Sequence, residues 1–90
     1  MNFQQVSEGL NIPLITLEQE SIKTYLEKKL NTIEVKLFIL SKKYGINNIF
    51  EFDNAIKEGK FHEENSYEEY FELDHLEAER KKIISLLEKL

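Results

Sequence analysis

The 90-residue sequence predicts an all-α fold, a long antiparallel helical hairpin with a short helix between the two long helices. Apolar residues recur every three or four positions over residues 16–44 and again over residues 66–90. A shorter segment with the same period lies between them, and Gly45 and Gly59 mark its two ends. Hydrophobic residues make up 41% of the chain, so we expect residues 1–90 to form a single helical domain.

Residues 1–13 show no clear period and end at Pro13. We expect this segment to be a flexible arm or a short strand, and the sequence leaves open whether it is ordered.

The first long helix is expected to run from Thr16 to Tyr44. Thr16 and Gln19 match a capping box, in which each side chain bonds the other residue's backbone amide. Lys42 and Lys43 occupy the last turn, where cations suit the helix dipole, and Gly45 follows as a C-terminal cap. The apolar stripe of this helix consists of Ile22, Leu26, Leu30, Ile33, Leu37, Leu40 and Tyr44.

The short helix is expected to begin at a second capping box, Asn48 and Glu51, and to end at Gly59. Its apolar side consists of Ile49, Phe52 and Ile56. Residues 60–65 then form a loop.

The second long helix is expected to begin at Ser66, with Glu69 completing a third capping box. Acidic residues fill its first half and basic residues come later, in agreement with the helix dipole. Its stripe consists of Leu73, Leu76, Arg80, Ile83, Leu87 and Leu90, with Ile84 beside it.

Both long helices carry a second apolar side that one helical partner cannot cover. Val35, Phe38 and Ile39 lie opposite the main stripe of the first long helix. That helix is also longer than the diameter of a compact domain of this size, so the hairpin must be elongated. We therefore expect a homodimer or larger oligomer, with these three side chains buried between chains or under the short helix.

Charge is unevenly distributed along the chain. The net charge is −5, but residues 58–79 hold nine acids and one base, or −8, which leaves +3 for the remainder. Nucleic acid is not an expected partner of the acidic half, because phosphate binding depends on Lys and Arg. A basic protein is the partner that this charge favours. The alternative interpretation is an ordinary solvated surface.

Aromatic residues stand among these acids, and rings among carboxylates indicate an interface more strongly than charge alone. The rings would anchor a partner and the carboxylates would steer it. Alternatively, some of the rings cover the ends of the hairpin. The candidate partner-binding residues are Tyr67, Glu68, Glu69, Tyr70, Phe71 and Glu72.

Glu72 and His75 form a Glu-x-x-His pair, the spacing found in carboxylate-bridged di-iron proteins. Those sites need two such pairs and two further glutamates directed into a helical core, whereas this pair occurs once and flanks the predicted stripe. We therefore expect no bound metal, no other cofactor and no catalytic residues. A metal-carboxylate enzyme built on Glu72 and His75 stays open as an alternative if a symmetric dimer doubles the pair.

The chain has no cysteine, no run of apolar residues that could span a bilayer and no basic-then-apolar start. We expect a cytoplasmic protein with no membrane partner.

The order of motifs from Leu37 to Leu90 resembles a group of small archaeal and bacterial helical proteins associated with toxin–antitoxin gene pairs. The motifs are the Tyr44-Gly45 helix end, Phe-Glu-Phe at 50–52, Ala-Ile-Lys-Glu-Gly at 55–59 and the acidic aromatic run from Ser66. That group commonly has Trp in the acidic run, which this chain lacks. The resemblance implies a binding role, such as that of an antitoxin, and no catalytic residues. A self-associating helical scaffold is the alternative from the sequence itself.

Overall fold

The computed structural model describes residues 1–47, 49–58 and 66–90, without the side chains at positions 49, 53, 56, 66 and 67. Within these ranges all regular structure is helical, as predicted. The helices are α1 (Phe3–Leu10), α2 (Leu14–Tyr44), α3 (Ile49–Lys57) and α4 (Ser66–Glu88). The predicted cap at Asn48 and the predicted loop at 60–65 lie outside the described residues.

Residues 3–10 form helix α1, so the expectation of a flexible arm or short strand is wrong there. A capping box explains the helix start: the Asn2 side chain accepts a hydrogen bond from the Gln5 amide, and the Gln5 side chain accepts one from the Asn2 amide. Asn11 ends the helix in the left-handed conformation with φ 56°. Ser7 is buried, and its hydroxyl donates to the Ile12 carbonyl, which fixes the turn into α2.

Helix α2 begins at Leu14, two residues before the predicted Thr16. Pro13 is the N-cap and makes no side-chain hydrogen bond, so the predicted capping box at Thr16 is wrong. The Pro13 ring fixes φ near the helical value just before the first turn. At the other end Gly45 takes φ +64°, as predicted, and its amide bonds the Ser41 carbonyl.

Helices α2 and α4 pack against each other and hold most of the core. Two ion pairs fix their antiparallel register, Lys43 with Glu69 and Glu34 with Arg80. Leu90, just beyond the end of α4, lines a cleft with Lys23 of α2. The first turns of α2 therefore extend past α4. The buried residues of the hairpin are Ile33, Leu37, Leu40, Tyr44, Leu73, Leu76 and Ile83.

This overhang explains why the predicted stripe is not buried along its whole length. Ile22 shares a side of α2 with Ile33 but is exposed, because α4 does not reach it. The molecule measures 60 × 23 × 16 Å with a radius of gyration of 18.8 Å. A compact chain of this length would have a radius of about 12 Å, so the hairpin is elongated as predicted.

Helix α3 closes the loop end of the hairpin through Phe52, which is fully buried. Its ring lies 4.4 Å from the Tyr44 ring and 5.8 Å from the Tyr70 ring, centroid to centroid. Ala55, one turn later on α3, is also buried. One aromatic cluster thus joins α2, α3 and α4.

Candidate protein-binding surfaces

The outward side of α4 carries several of the predicted partner-binding residues. At about 100° of rotation per residue, Glu68, Phe71 and Glu72 lie roughly 160° to 260° around the helix from Leu73, which is buried. Phe71 is 65% exposed although it is a large apolar ring. Among the described residues of this side, carboxylates surround it. We name this side the acidic aromatic face; it consists of Glu68, Phe71, Glu72, His75 and Glu79.

Glu69 differs from its neighbours because its side chain turns toward α2. Its Oε1 accepts a hydrogen bond from Lys43 Nζ at 2.5 Å, and the side chain is only 17% exposed. This hydrogen bond is the main cause that lowers the pKa of Glu69. Burial acts in the opposite direction, while the Tyr44 hydroxyl and the charge of Lys43 add to the lowering. Glu69 therefore holds α4 to α2 within the chain.

Tyr70 also serves the hairpin itself. It is half-buried against the core, and its ring makes edge contacts with Phe52 and, at 5.4 Å between centroids, with Phe71. The Phe71 ring thus rests on a packed ring at its base while its outer surface is open. Tyr67 was also predicted to bind a partner, but its side chain is not among those that the structure describes.

The outward side of α2 is apolar and bordered by lysines. Val35, Phe38 and Ile39 are 49%, 62% and 59% exposed, so α3 does not cover them. The prediction that they are buried under the short helix is therefore wrong, and burial between chains stays a prediction. Lys28 and Lys42 lie on the same side of α2, each about 10 Å along the axis from Val35. We name Lys28, Val35, Phe38, Ile39 and Lys42 the basic apolar face.

On the basic apolar face, a lysine lies close to an aromatic ring. The Lys42 ammonium lies 5.5 Å from the centroid of the Phe38 ring, a cation–π distance. Between residues 28 and 42, the outward positions of α2 include no acidic residue. Glu34, the acid of this stretch, lies nearer to α4 and pairs with Arg80 at 3.5 Å.

His75 lies on the acidic aromatic face and is exposed, as its helical position predicts. Its Nε2 is 3.9 Å from Glu79 Oε2, a loose pair on one helix. Within the described ranges, no group of three or more His, Cys, Asp or Glu side chains could hold a metal ion. In the same ranges, no helix is both long and apolar enough to cross a membrane.

Sequence reasoning missed a third exposed apolar surface, on α1. Phe3 and Leu10 are exposed and Val6 is half-buried, although the three lie on one side of the helix. Their spacing of three and four residues is itself a helical signal, and Asn2 with Gln5 supplies the cap. The cap and this short period are therefore the sequence signals for α1, although the period extends over only two helical turns.

Comparison with known proteins places the whole chain in one family. A family model described as the Uncharacterized protein MJ0235 family matches residues 1–90. No curated protein and no solved structure matched the chain. The family description carries no link to toxin–antitoxin gene pairs, so that resemblance stays a prediction.

Proposed function

Because the chain belongs to the uncharacterized MJ0235 family, whose description names no activity, we propose a function from its surface: a non-enzymatic protein-binding module. Its acidic aromatic face docks a basic protein. The observation that carries this proposal is the exposure of Phe71, 65%, between the exposed carboxylates of Glu68 and Glu72 on a rigid helix. Exposed rings of this kind supply interface area at low entropic cost, and the carboxylates steer a basic partner.

The antitoxin-like resemblance makes a small basic toxin, such as a nuclease, the class of partner we expect. An antitoxin of this kind would act in the cytoplasm and would occupy a basic surface that its partner needs for nucleic acid. Charge would set the rate of association, because it acts over about 8–10 Å at ordinary ionic strength. Ring packing would set the residence time.

The test is co-purification with the product of an adjacent gene that encodes a small basic protein, followed by binding kinetics. Glu68→Gln with Glu72→Gln should slow association and weaken its salt dependence. Phe71→Ala should speed dissociation about tenfold or more, the effect of losing an interface anchor. Glu69 is left unchanged, because its replacement would disturb the Lys43 contact inside the chain.

A matched control changes two exposed acids at the opposite end of the rod, Glu20→Gln with Glu88→Gln. It alters the net charge by the same amount and should leave association nearly unchanged. The proposal is wrong if a bound partner is indifferent to the Glu68, Glu72 and Phe71 changes. It is also wrong if the control slows association as much as the Glu68 and Glu72 changes do.

A second candidate function is self-association as a helical scaffold. Exposure of Val35, Phe38 and Ile39 favours this function. Large apolar side chains that lie together on an exposed helix face typically mark a protein–protein interface. No metal reaction is proposed, since the described residues bring no set of three ligands together.

A further inference from the structure

The chain presents two faces of opposite character on opposite sides of the same rod. The basic apolar face lies on the outward side of α2, although Phe38 and Lys42 at its edge also line a cleft with Glu77 and Arg80 of α4. The acidic aromatic face lies on the side of α4 away from α2. Lys43 pairs with Glu69 and Glu34 with Arg80, so residues 34–43 lie beside residues 69–80. Both faces therefore belong to the same half of the molecule.

We propose that the acidic aromatic face also docks a second copy of this chain, which binds through its basic apolar face. This inference rests on the proposed docking role of the acidic aromatic face and adds a second occupant of it. Phe71 packs on Val35, Phe38 and Ile39 of the second copy. Glu68 and Glu72 approach Lys28 and Lys42 at the border of that patch.

Charge complementarity selects this pairing over pairing between like faces. Two acidic aromatic faces would bring Glu68, Glu72 and Glu79 of both copies together, and the other charged or titratable groups on this side are His75 and, one turn beyond Glu79, Lys82. Two basic apolar faces would bring Lys28 and Lys42 together with no acid at outward positions between them. When an acidic aromatic face pairs with a basic apolar face, the lysines of one copy lie near the carboxylates of the other, and contact between like charges is avoided.

The geometry also determines the form of the assembly. A contact between two different faces is heterologous, and faces on opposite sides of a rod do not close into a two-fold dimer. Each copy that docks leaves one free acidic face and one free basic face. The rods therefore stack side by side in open-ended assemblies whose mass rises with protein concentration.

Two charge-reversal variants test the inference by sedimentation. Variant A carries Glu68→Lys and Glu72→Lys, and variant B carries Lys28→Glu and Lys42→Glu. Alone, each variant lacks one of the two faces and should sediment as a monomer of about 10.7 kDa. Mixed in equal amounts, the acidic face of B docks on the basic face of A, and the reversed face of A, now basic, complements the reversed face of B, now acidic. The mixture should therefore regain association whose mass rises with protein concentration, as for the wild type.

The wild-type protein should give a mass that rises over about 0.1 to 1 mM, a range that detects contacts of weak affinity. The rise should shrink between about 50 and 500 mM salt, because exposed charges are screened. Matched controls reverse exposed charges at the other end of the rod, Glu20→Lys with Glu88→Lys and Lys23→Glu with Lys89→Glu. Both controls should associate as the wild type does. Circular dichroism checks the fold, and Lys28→Gln with Lys42→Gln replaces variant B if B loses helix.

The inference is overturned if A alone still dimerises, which indicates pairing between basic apolar faces. It is overturned if B alone dimerises, which indicates pairing between acidic aromatic faces. A monomeric wild type, or a mixture of A and B that stays monomeric, also overturns it. Those results leave the proposed function intact, because they measure self-association, whereas that function is tested by the binding of a different basic protein to the Glu68, Phe71 and Glu72 variants and to their control.

Discussion

Phe52 offers the sharpest test of the fold, because it is the side chain through which α3 holds the end of the hairpin. Phe52→Ala removes a ring that is 0% exposed and touches both Tyr44 and Tyr70. Phe50 lies two residues away on the same helix and is 76% exposed. Phe50→Ala is therefore a matched control with the same chemistry and the same change in helix propensity.

The magnitude follows from the burial. A phenylalanine buries about 150–250 Å², which at about 25 cal/mol per Å² is at most about 4–6 kcal/mol. Substitutions of buried Phe by Ala typically cost about 3–5 kcal/mol, so we expect about 4 kcal/mol for Phe52. For Phe50 we expect a change within about 0.5 kcal/mol. A domain of this size is stable by roughly 5–13 kcal/mol, so the Phe52 loss is a large fraction.

The assay is equilibrium unfolding in urea followed by circular dichroism. With a slope of about 2 kcal/mol per M, the Phe52 variant should unfold at about 2 M less urea than the wild type. Phe52 belongs to the same buried cluster as Ile33 and Ile83, so the loss should affect the whole hairpin. The packing described for α3 is refuted if Phe52→Ala lies within about 1 kcal/mol of Phe50→Ala.

Three further changes test other parts of the structure by urea unfolding. Lys43 lowers the pKa of Glu69, so the stability from this pair is present above the ordinary carboxyl pKa and is lost as pH falls through the lowered one. Glu69→Gln should lower the free energy of unfolding by at most about 1 kcal/mol at neutral pH, and should reduce the loss of stability at acid pH. A variant whose stability depends on pH as the wild type's does would contradict this role of Glu69. Gly45→Ala should cost about 1–2 kcal/mol because the backbone there has φ +64°; no loss would argue against that conformation. Asn2→Ala should cost about 0.5–2 kcal/mol if α1 unfolds with the rest, and an unaffected midpoint would show that α1 unfolds separately.

The long helices were predictable because seven stripe residues keep one period from Ile22 to Tyr44, which only a helix explains. Helix α1 was missed because eight residues provide only two turns of that period. The start of α2 was placed too late because Thr16 offers a better side-chain cap than Pro13, whereas the fixed φ of Pro13 decided the outcome.

The candidate site was predictable where it depends on one helix alone. The rotation of α4 puts Glu68, Phe71 and Glu72 on one side, and the structure agrees. Glu69 could not be assigned in this way, because its partner Lys43 is 26 residues away on another helix. The sequence pattern does not specify the register between α2 and α4, and this register determines which lysine lies beside Glu69.

The basic apolar face was predictable only in part. The side of α2 that holds Val35, Phe38 and Ile39 follows from its period, and their position opposite the main stripe was predicted correctly. Whether α3 covers them depends on how the chain turns after Gly45, which the sequence does not specify. The structure turns α3 toward Tyr44 and Tyr70 instead, through Phe52.

Photo-crosslinking from position 71 tests most directly whether the two faces meet. Phe71 is replaced by p-benzoylphenylalanine, and equal amounts of ¹⁵N-labelled and unlabelled chains are mixed so that inter-chain products carry both labels. Phe71 lies on the side of α4 away from its own α2, so a crosslink to α2 must reach another chain. We predict mixed-label crosslinks to the peptide that contains Val35, Phe38 and Ile39. Mixed-label crosslinks confined to any other segment, or none at protein concentrations where the wild type associates, would contradict the account.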